Sequence, residues 1–453
     1  MIENLYWGKE LQPGYGKHPP LFAWISYLFY RLCFSWPESL YILTQLNLLL
    51  AFFFIFKISK LIFIEDSDGH KSYASVLIFM ASVCSVFGTE KFNANTILMS
   101  LVPAVDYFFI RLLKFGKNED AILLGVVSAL SFLGKYFALL HLGCIFLFLI
   151  LNREGRRLLL RPQIYIAGVV FLFGIFWHII WMEQTNFSSL RYAMDKSINW
   201  TRSRLSTLNF MAMQTIFFAS SFWACAHASQ EKIRLWPDRR YSAEKYFVLF
   251  ATVIPNILLL LISLGTGMRL GSFWGVNMLM MVGIYLQIIN ESMNLRRLFD
   301  FVRKISCFFA IVLILKLGVA RQLLQNRDPT YAINIREIAR QIDSDWSTKF
   351  GGHEQMKILK TDKTTSALHI YLKNSPSSYD VEHCDLYNFQ DSRPHGQNVV
   401  LASLCHRNNK KMQDIQEVYG RDILFENTIP MRGDFFVYYA FVNVKDAGVE
   451  SKD

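Results

Sequence analysis

The sequence predicts a mainly α-helical, polytopic membrane bundle of about ten spans, followed by a small C-terminal α/β domain outside the membrane. Hydrophobic residues make up 53% of the 453 residues, and charged residues only 18%, against about a quarter in soluble domains. Apolar runs recur to about residue 318 and then stop. From residue 321 onward, short alternating stretches replace them, as expected for a separate folded domain.

The apolar runs give the spans. Most are near the ~20 residues that cross the hydrocarbon of a bilayer. Two short runs meet at Gly134-Lys135 and predict a tight re-entry hairpin. The earlier segment 21–36, rich in Trp and Tyr, is predicted to lie at the interface. The predicted spans are 40–64, 73–87, 95–113, 121–134, 136–151, 162–182, 209–228, 246–264, 272–289 and 305–319.

Basic loops orient the bundle. Lys and Arg concentrate in loops 114–117, 153–161, 232–245 and 296–304, which span counting places on one side. By the positive-inside rule that side is cytoplasmic. The other face then carries 1–20, 88–93, Lys135, 183–207, 265–271 and everything after 320. Since 17 basic and 18 acidic residues nearly balance from 321 onward, the net charge of +11 belongs to the membrane section. It predicts orientation, not a nucleic-acid partner.

Three domains are predicted: an outer-face loop with an interfacial helix (1–36), a transmembrane domain (37–320) and a soluble domain (321–453). In the last, strands are expected at 367–372, 398–404 and 435–444, and helices at 337–342 and 412–419. Cys384 and Cys405 either pair in an oxidising periplasm or stay as two thiols. The sequence has no CxxC, HExxH or Gly-rich phosphate loop, so no metal site and no required cofactor are predicted.

Polar clusters on the outer face are the candidate site. Lys17 and His18 precede Pro19-Pro20, which suits a helix start; a snorkelling interfacial lysine is the alternative there and at Lys135. Basic groups beside lipid suit a ligand with an apolar tail and an anionic head, with an acid as general base. We predict that one outer-facing cavity is bordered by the charged candidates Glu3, Lys17, Glu90, Lys91, Lys135 and Arg269. Candidate catalytic residues are Glu3 and Glu90, and candidate substrate-binding residues are Tyr15, Lys17, His18, Lys91, Asn95, Lys135, Tyr136 and Arg269.

These motifs resemble one enzyme family. The block Gly14-Tyr15-x-Lys17-His18-Pro19-Pro20-Leu21, after Glu3-x-x-x-Trp7-Gly8, is similar to the first outer loop of the family 39-type glycosyltransferases. These are C-type membrane transferases that include the protein O-mannosyltransferases and the aminoarabinose transferases of lipid A. Weaker matches follow in order: Lys91-Phe-Asn93-Ala-Asn95, Leu133-Gly134-Lys135-Tyr136, Trp181…Phe187…Leu190-x-Tyr192-Ala193 and Arg269…Trp274-Gly275.

The resemblance implies an inverting transfer of a sugar from an undecaprenyl-type phosphate carrier. Lys17 matches a lysine that contacts the carrier phosphate, and Lys135 a second one. The family also has a first span and an acidic pair in this loop. Glu3 matches the second acid, and the Asp would fall just before Met1, so the sequence is expected to lack the first span. At Asn95 many relatives carry Asp.

The implied location is the bacterial inner membrane, with the C-terminal domain in the periplasm. The partners implied are the lipid bilayer, the polyprenyl-phosphate sugar as donor and a cell-envelope acceptor such as lipid A, lipopolysaccharide, another glycan or a protein. Two alternatives stay open: a transporter or flippase of lipid-linked precursors, and a truncated inactive paralogue. Transporters often have repeated halves, and no internal repeat is evident in this sequence.

Overall fold

The computed structural model describes residues 2–87, 90–197, 200–234, 241–327, 334–351, 357–361, 368–372, 397–406, 416, 423–430 and 435–444. The chain divides into two compact units. One comprises Trp7–Leu313, and the other comprises Ile2–Tyr6 and Ile314–Asp453. The first is a helical unit and the second contains a sheet. The predicted bounds 1–36, 37–320 and 321–453 stay a proposal.

Helices run through the first unit and across its two limits. Two of them, α2 and α3, begin directly after Pro20 and Glu38, respectively. The helices in chain order are α1 (Ile2–Glu10), α2 (Leu21–Leu32), α3 (Ser39–Ile62), α4 (His70–Met80), α5 (Cys84–Phe87), α6 (Leu98–Phe115), α7 (Asn118–Gly134), α8 (Ala138–Leu151), α9 (Arg153–Leu159), α10 (Pro162–Gln184), α11 (Ser188–Ser197), α12 (Trp200–Ala228), α13 (Ala243–Thr266), α14 (Trp274–Met278), α15 (Val282–Ile289) and α16 (Leu295–Arg327).

Membrane-crossing length and apolar composition coincide in a few of these helices. Among the described residues, α3, α10 and α13 meet both conditions, and α8 with α9, bent by 101° at their break, adds at most a fourth. The runs 73–87 and 272–289 each contain two shorter helices, and α6 carries Asp106, Arg111 and Lys114 within its 18 residues. The ten-span count therefore stays a prediction, whereas the mainly helical fold is confirmed.

Local sequence explains where several helices begin and end. The Asn152 side chain accepts hydrogen bonds from Glu154 N and Gly155 N and so starts α9. Pro162 occupies the first turn of α10, where its missing N–H costs nothing. Gly116, which ends α6, has a φ of 63°, a left-handed conformation that glycine adopts without strain.

The helical unit is held by close helix pairs. α7 packs on α10 and on α6, and α6 packs on α3. A Cβ at Gly125 of α7 would lie 2.6 Å from the carbonyl oxygen of Ala167 in α10, so glycine allows that approach. The predicted re-entry hairpin corresponds to α7 and α8, with the Lys135 backbone extended between them (φ −167°).

The second unit contains α17 (Ile335–Phe350), β1 (Lys357–Thr361), α18 (Leu368–Tyr371), β2 (Gln397–His406), β3 (Ile423–Pro430) and β4 (Phe435–Val444). Its sheet has the order β1-β2-β4-β3, with β1 parallel to β2 and the other pairs antiparallel. Trp346 of α17 is buried, its ring centroid 5.0 Å from that of Phe441 in β4. A small α/β domain is thus confirmed.

The strand predictions for this unit succeed in part. The strands at 398–404 and 435–444 correspond to β2 and β4, and the helix at 337–342 lies in α17. The strand predicted at 367–372 is wrong, because the described residues there form α18. Leu368 and Leu372, both buried, are four residues apart, a spacing that also suits a helix. The helix at 412–419, apart from Gln416, and Cys384 lie outside the described residues.

Candidate functional site

The first outer segment forms a closed turn around Lys17. Tyr15 N donates to His18 O (3.1 Å), and His18 N donates to Tyr15 O (3.2 Å). The Tyr15 ring stacks on Trp7 at 5.1 Å between centroids, and its hydroxyl donates to Trp7 O. Lys17 Nζ lies 5.8 Å from the Trp7 ring centroid and 5.9 Å from that of Tyr192. The lysine is therefore presented beside two aromatic rings, where a cation is favoured.

A hydrogen-bond chain joins this turn to the α7–α8 hairpin. His178 Nδ1 lies 2.7 Å from Pro13 O, and its Nε2 lies 3.0 Å from the hydroxyl of Tyr136. A carbonyl can only accept, so Nδ1 carries the proton, and in the neutral ring Nε2 accepts from Tyr136. The Tyr136 oxygen can then accept from Ser189 Oγ at 2.7 Å. Each donor in this series of hydrogen bonds therefore has an acceptor.

Tight packing fixes the same turn against α10. The Trp181 ring stacks on the His178 ring at 5.5 Å. A Cβ added at Gly14 would lie 2.3 Å from Cζ3 of Trp181, whereas one added at Gly16 would meet nothing within 4 Å. Two glycines in one short loop thus differ sharply in the space around them.

We expect Gly14→Ala to destabilise the protein by about 1–3 kcal/mol, the usual cost of overpacking a filled site. Gly16→Ala is the matched control, and we expect it to leave stability nearly unchanged. Thermal unfolding of both purified variants in one detergent measures the difference. Equal melting temperatures would show that Trp181 does not hold this loop.

Lys135 lies where three predicted clusters meet. Its Nζ donates to Asn95 Oδ1, and it lies 5.3 Å from the ring centroid of Trp274 and 5.7 Å from that of Phe137. Burial lowers the pKa of Lys135 to about 7, because the surroundings solvate an ammonium less well than water does. An anion bound beside it would restore the charged form.

The segment that carries Asn95 is fixed by its own hydrogen bonds. Asn93 Oδ1 accepts from Asn95 N (2.8 Å) and from Thr96 N (3.2 Å). Thr96 Oγ1 donates to Lys91 O at 2.9 Å, and Asn47 Nδ2 of α3 donates to Thr96 O at 2.7 Å. The Asn95 side-chain amide that contacts Lys135 therefore lies on a turn that is fixed by hydrogen bonds.

The segment 269–275 reaches Lys135 through its tryptophan. Trp274 packs on Phe137, with 5.2 Å between ring centroids. Gln214 Nε2 donates to Ser272 O at 2.6 Å and so ties this segment to α12. Arg269, on the same segment, is exposed.

Contacts thus place the Lys17 turn, the α7–α8 hairpin, the Asn95 turn, the α10 end and the Trp274 segment at one end of the helical unit. Of the remaining candidates, Glu90 is half-buried and Lys91 is exposed. Glu3 lies in α1, and its side chain is outside the described residues. That all of the charged candidates line one cavity stays a prediction.

A buried ionisable pair was missing from the candidates. His141 Nε2 of α8 lies 2.7 Å from Asp106 Oδ1 of α6, with side chains 2% and 0% exposed. The signal was present, since an acid inside an apolar run is costly and needs a partner. Among the described residues, no group of three or more His, Cys, Asp or Glu side chains is placed to hold a metal ion.

Comparison with known proteins identifies the fold. A family model described as dolichyl-phosphate-mannose-protein mannosyltransferase matches residues 17–181. Two crystal structures of ArnT from Cupriavidus metallidurans, one bound to undecaprenyl phosphate and one in the apo state, match with a TM-score of 0.58. Sequence identity is 12%, over 94% of this chain and 88% of that one. No curated protein sequence matches the chain.

The chain therefore has an ArnT-like fold, and the resemblance to the family 39-type, C-type glycosyltransferases is confirmed. The fold and the apolar helices indicate a membrane-embedded protein.

Proposed function

We propose that this protein is an inverting glycosyltransferase of the bacterial inner membrane. It moves a sugar from an undecaprenyl-type phosphate carrier to a cell-envelope acceptor at the periplasmic face, where the C-terminal domain also lies. The observation that carries the proposal is the pair Lys17 and Lys135, brought to one end of an ArnT-like helical unit through Pro13, His178 and Tyr136. Two lysines at one end suit a lipid-linked phosphate.

The proposed reaction breaks the bond between the anomeric carbon and the phosphate oxygen. The acceptor hydroxyl oxygen attacks the anomeric carbon from the opposite face, and its proton passes to a glutamate carboxylate, Glu3 or Glu90. The electron pair of the broken bond stays on the phosphate. Lys17 and Lys135 offset that growing charge. Glu90 belongs to the loop that also carries Asn95, the partner of Lys135.

The other candidate residues have supporting roles in this proposal. Tyr15 and His18 close the turn that presents Lys17, and Tyr136 joins the hairpin to that turn. Asn95 orients the Lys135 ammonium. Lys91 and Arg269 are exposed, and we assign them to attraction of the anionic donor or acceptor, which works over longer distances.

The test is a transfer assay with the purified full-length chain in detergent. It combines labelled polyprenyl-phosphate sugars (aminoarabinose, galacturonic acid and mannose) with crude lipopolysaccharide. We expect transfer from one donor, lost in Lys17→Ala and retained in Lys117→Ala, an exposed lysine before α7. Movement of the donor across vesicles without sugar transfer would overturn the proposal in favour of a flippase.

A further inference from the structure

A groove lies away from the candidate site, between α3, α4 and α16. Its volume is about 900 Å³, and its walls are almost entirely apolar. Tyr73, Val76, Leu77 and Met80 line it from α4, at spacings of three and four residues that place them on one helical stripe. Phe299 of α16 lines the opposite wall.

The polar groups gather at one end of this groove. His70, at the start of α4, and Arg296, in the first turn of α16, both belong to its lining and are exposed. Lys60 of α3 is exposed, and its Nζ lies 5.6 Å from the ring centroid of Phe56, another lining residue. The rim therefore offers basic side chains from three helices.

Two acids near the rim, Asp66 and Asp300, already have partners. Asp66 Oδ2 accepts from Lys71 N at 2.8 Å and Ser72 N at 3.4 Å, in the first turn of α4. Asp300 lies 3.4 Å from Arg303, one turn along α16. Neither of these contacts engages Arg296, so the rim favours an anion.

The α4 wall of the groove is about as long as one membrane leaflet is deep. From His70 to Met80, α4 rises about 15 Å at ~1.5 Å per residue. That is half of the ~30 Å hydrocarbon core of a bilayer. An acyl chain entering at the basic rim would thus end near the middle of the membrane.

We propose that this groove binds an anionic phospholipid from the surrounding leaflet, with its headgroup at Lys60, His70 and Arg296 and an acyl chain along α4. The apolar wall packs against the acyl chain by van der Waals contact, and the basic rim selects the net negative headgroup. This site is separate from the proposed sugar transfer and does not depend on it.

Native mass spectrometry of the delipidated full-length chain in detergent tests this. The probes are dioleoyl phosphatidylglycerol, dioleoyl phosphatidylcholine and the soluble headgroup glycerol 3-phosphate. We expect the phosphatidylglycerol adduct to dominate and Arg296→Ala to weaken it about fivefold, the usual contribution of one arginine near a charged lipid surface. Arg297→Ala is the matched control, since Arg297 is exposed and does not line the groove. Its affinity should match the parent.

A blocking variant tests the acyl-chain half of the site. We expect Val76→Trp, which fills the groove, to lose phosphatidylglycerol binding while its melting temperature shows that it is folded. Equal binding of both phospholipids, equal losses in Arg296→Ala and Arg297→Ala, or full competition by glycerol 3-phosphate would each overturn the proposal.

Discussion

Replacement of Lys135 by alanine is expected to lower kcat/KM for sugar transfer by on the order of 100- to 1,000-fold. This is the usual effect of removing one group that stabilises charge in a transition state. The Lys135 side chain is held by Asn95 and lies over the ring of Trp274, so its position is fixed before the donor binds. Initial rates with the donor that supports transfer measure the effect.

Two further variants are the controls for this prediction. Lys117 precedes α7, whereas Lys135 follows it, so Lys117→Ala removes an equal charge at the other end of the helix and should leave the rate unchanged. Lys135→Arg keeps the charge and should recover part of the activity. A Lys135→Ala rate within a few-fold of the parent would remove this residue from the proposed mechanism.

The same lysine gives a pH dependence. Burial lowers the pKa of Lys135 to about 7, so in the unliganded protein its charge is present below pH 7 and is lost as the pH rises. A glycosyl phosphodiester keeps one negative charge over this range. We expect its Kd to rise by up to about tenfold per pH unit above 7. Lys135→Arg should remove that slope, since Arg stays charged, and an unchanged slope would assign it to another group.

Much of the fold could be predicted from apolar patterning. The break at Lys135 between two helices, and the strands β2 and β4, lie where the sequence placed them. The apolar pattern fails where the strand repeat of about two residues and the helix repeat of about 3.6 residues fit equally well. Leu368 and Leu372 are an example, since their spacing suits both a strand and the observed helix α18. Helices such as α14 and α15 also divide a continuous apolar run, because breaks inside apolar sequence need no polar signal.

For the site, residue types could be predicted, but their partners could not. Lys17 is predicted because it precedes the Pro19-Pro20 helix start. Lys135 is predicted because an ionisable residue at a break between two short spans is costly unless it faces a wet cavity or an anion. That Pro13 O binds His178, 165 positions along the chain, depends on how α10 packs. Local sequence carries no trace of such a pairing. The Asp106–His141 pair, formed between α6 and α8, depends on helix packing in the same way.

That buried pair leads to the second large prediction. Asp106 Oδ2 and His141 Nδ1 have no hydrogen-bond partner within the part of the chain that the structure describes. Each residue therefore depends on the 2.7 Å contact between Oδ1 and Nε2. We expect His141→Ala to destabilise the protein by about 3–5 kcal/mol, since it leaves a carboxylate buried without its partner. Urea unfolding in detergent, followed by tryptophan fluorescence, measures this loss.

The double variant Asp106→Leu/His141→Leu separates charge from packing. Replacing both partners by apolar side chains removes the unpaired carboxylate, so its stability should return close to that of the parent. The control is Glu154→Gln at the Arg157–Glu154 pair, whose side chains are 55% and 45% exposed. Water screens that pair, so its loss should leave stability nearly unchanged. If the double variant is as unstable as His141→Ala, shape rather than charge would account for the cost. The pair would then be a packing contact between α6 and α8, and an unpaired Asp106 carboxylate would not explain the lost stability.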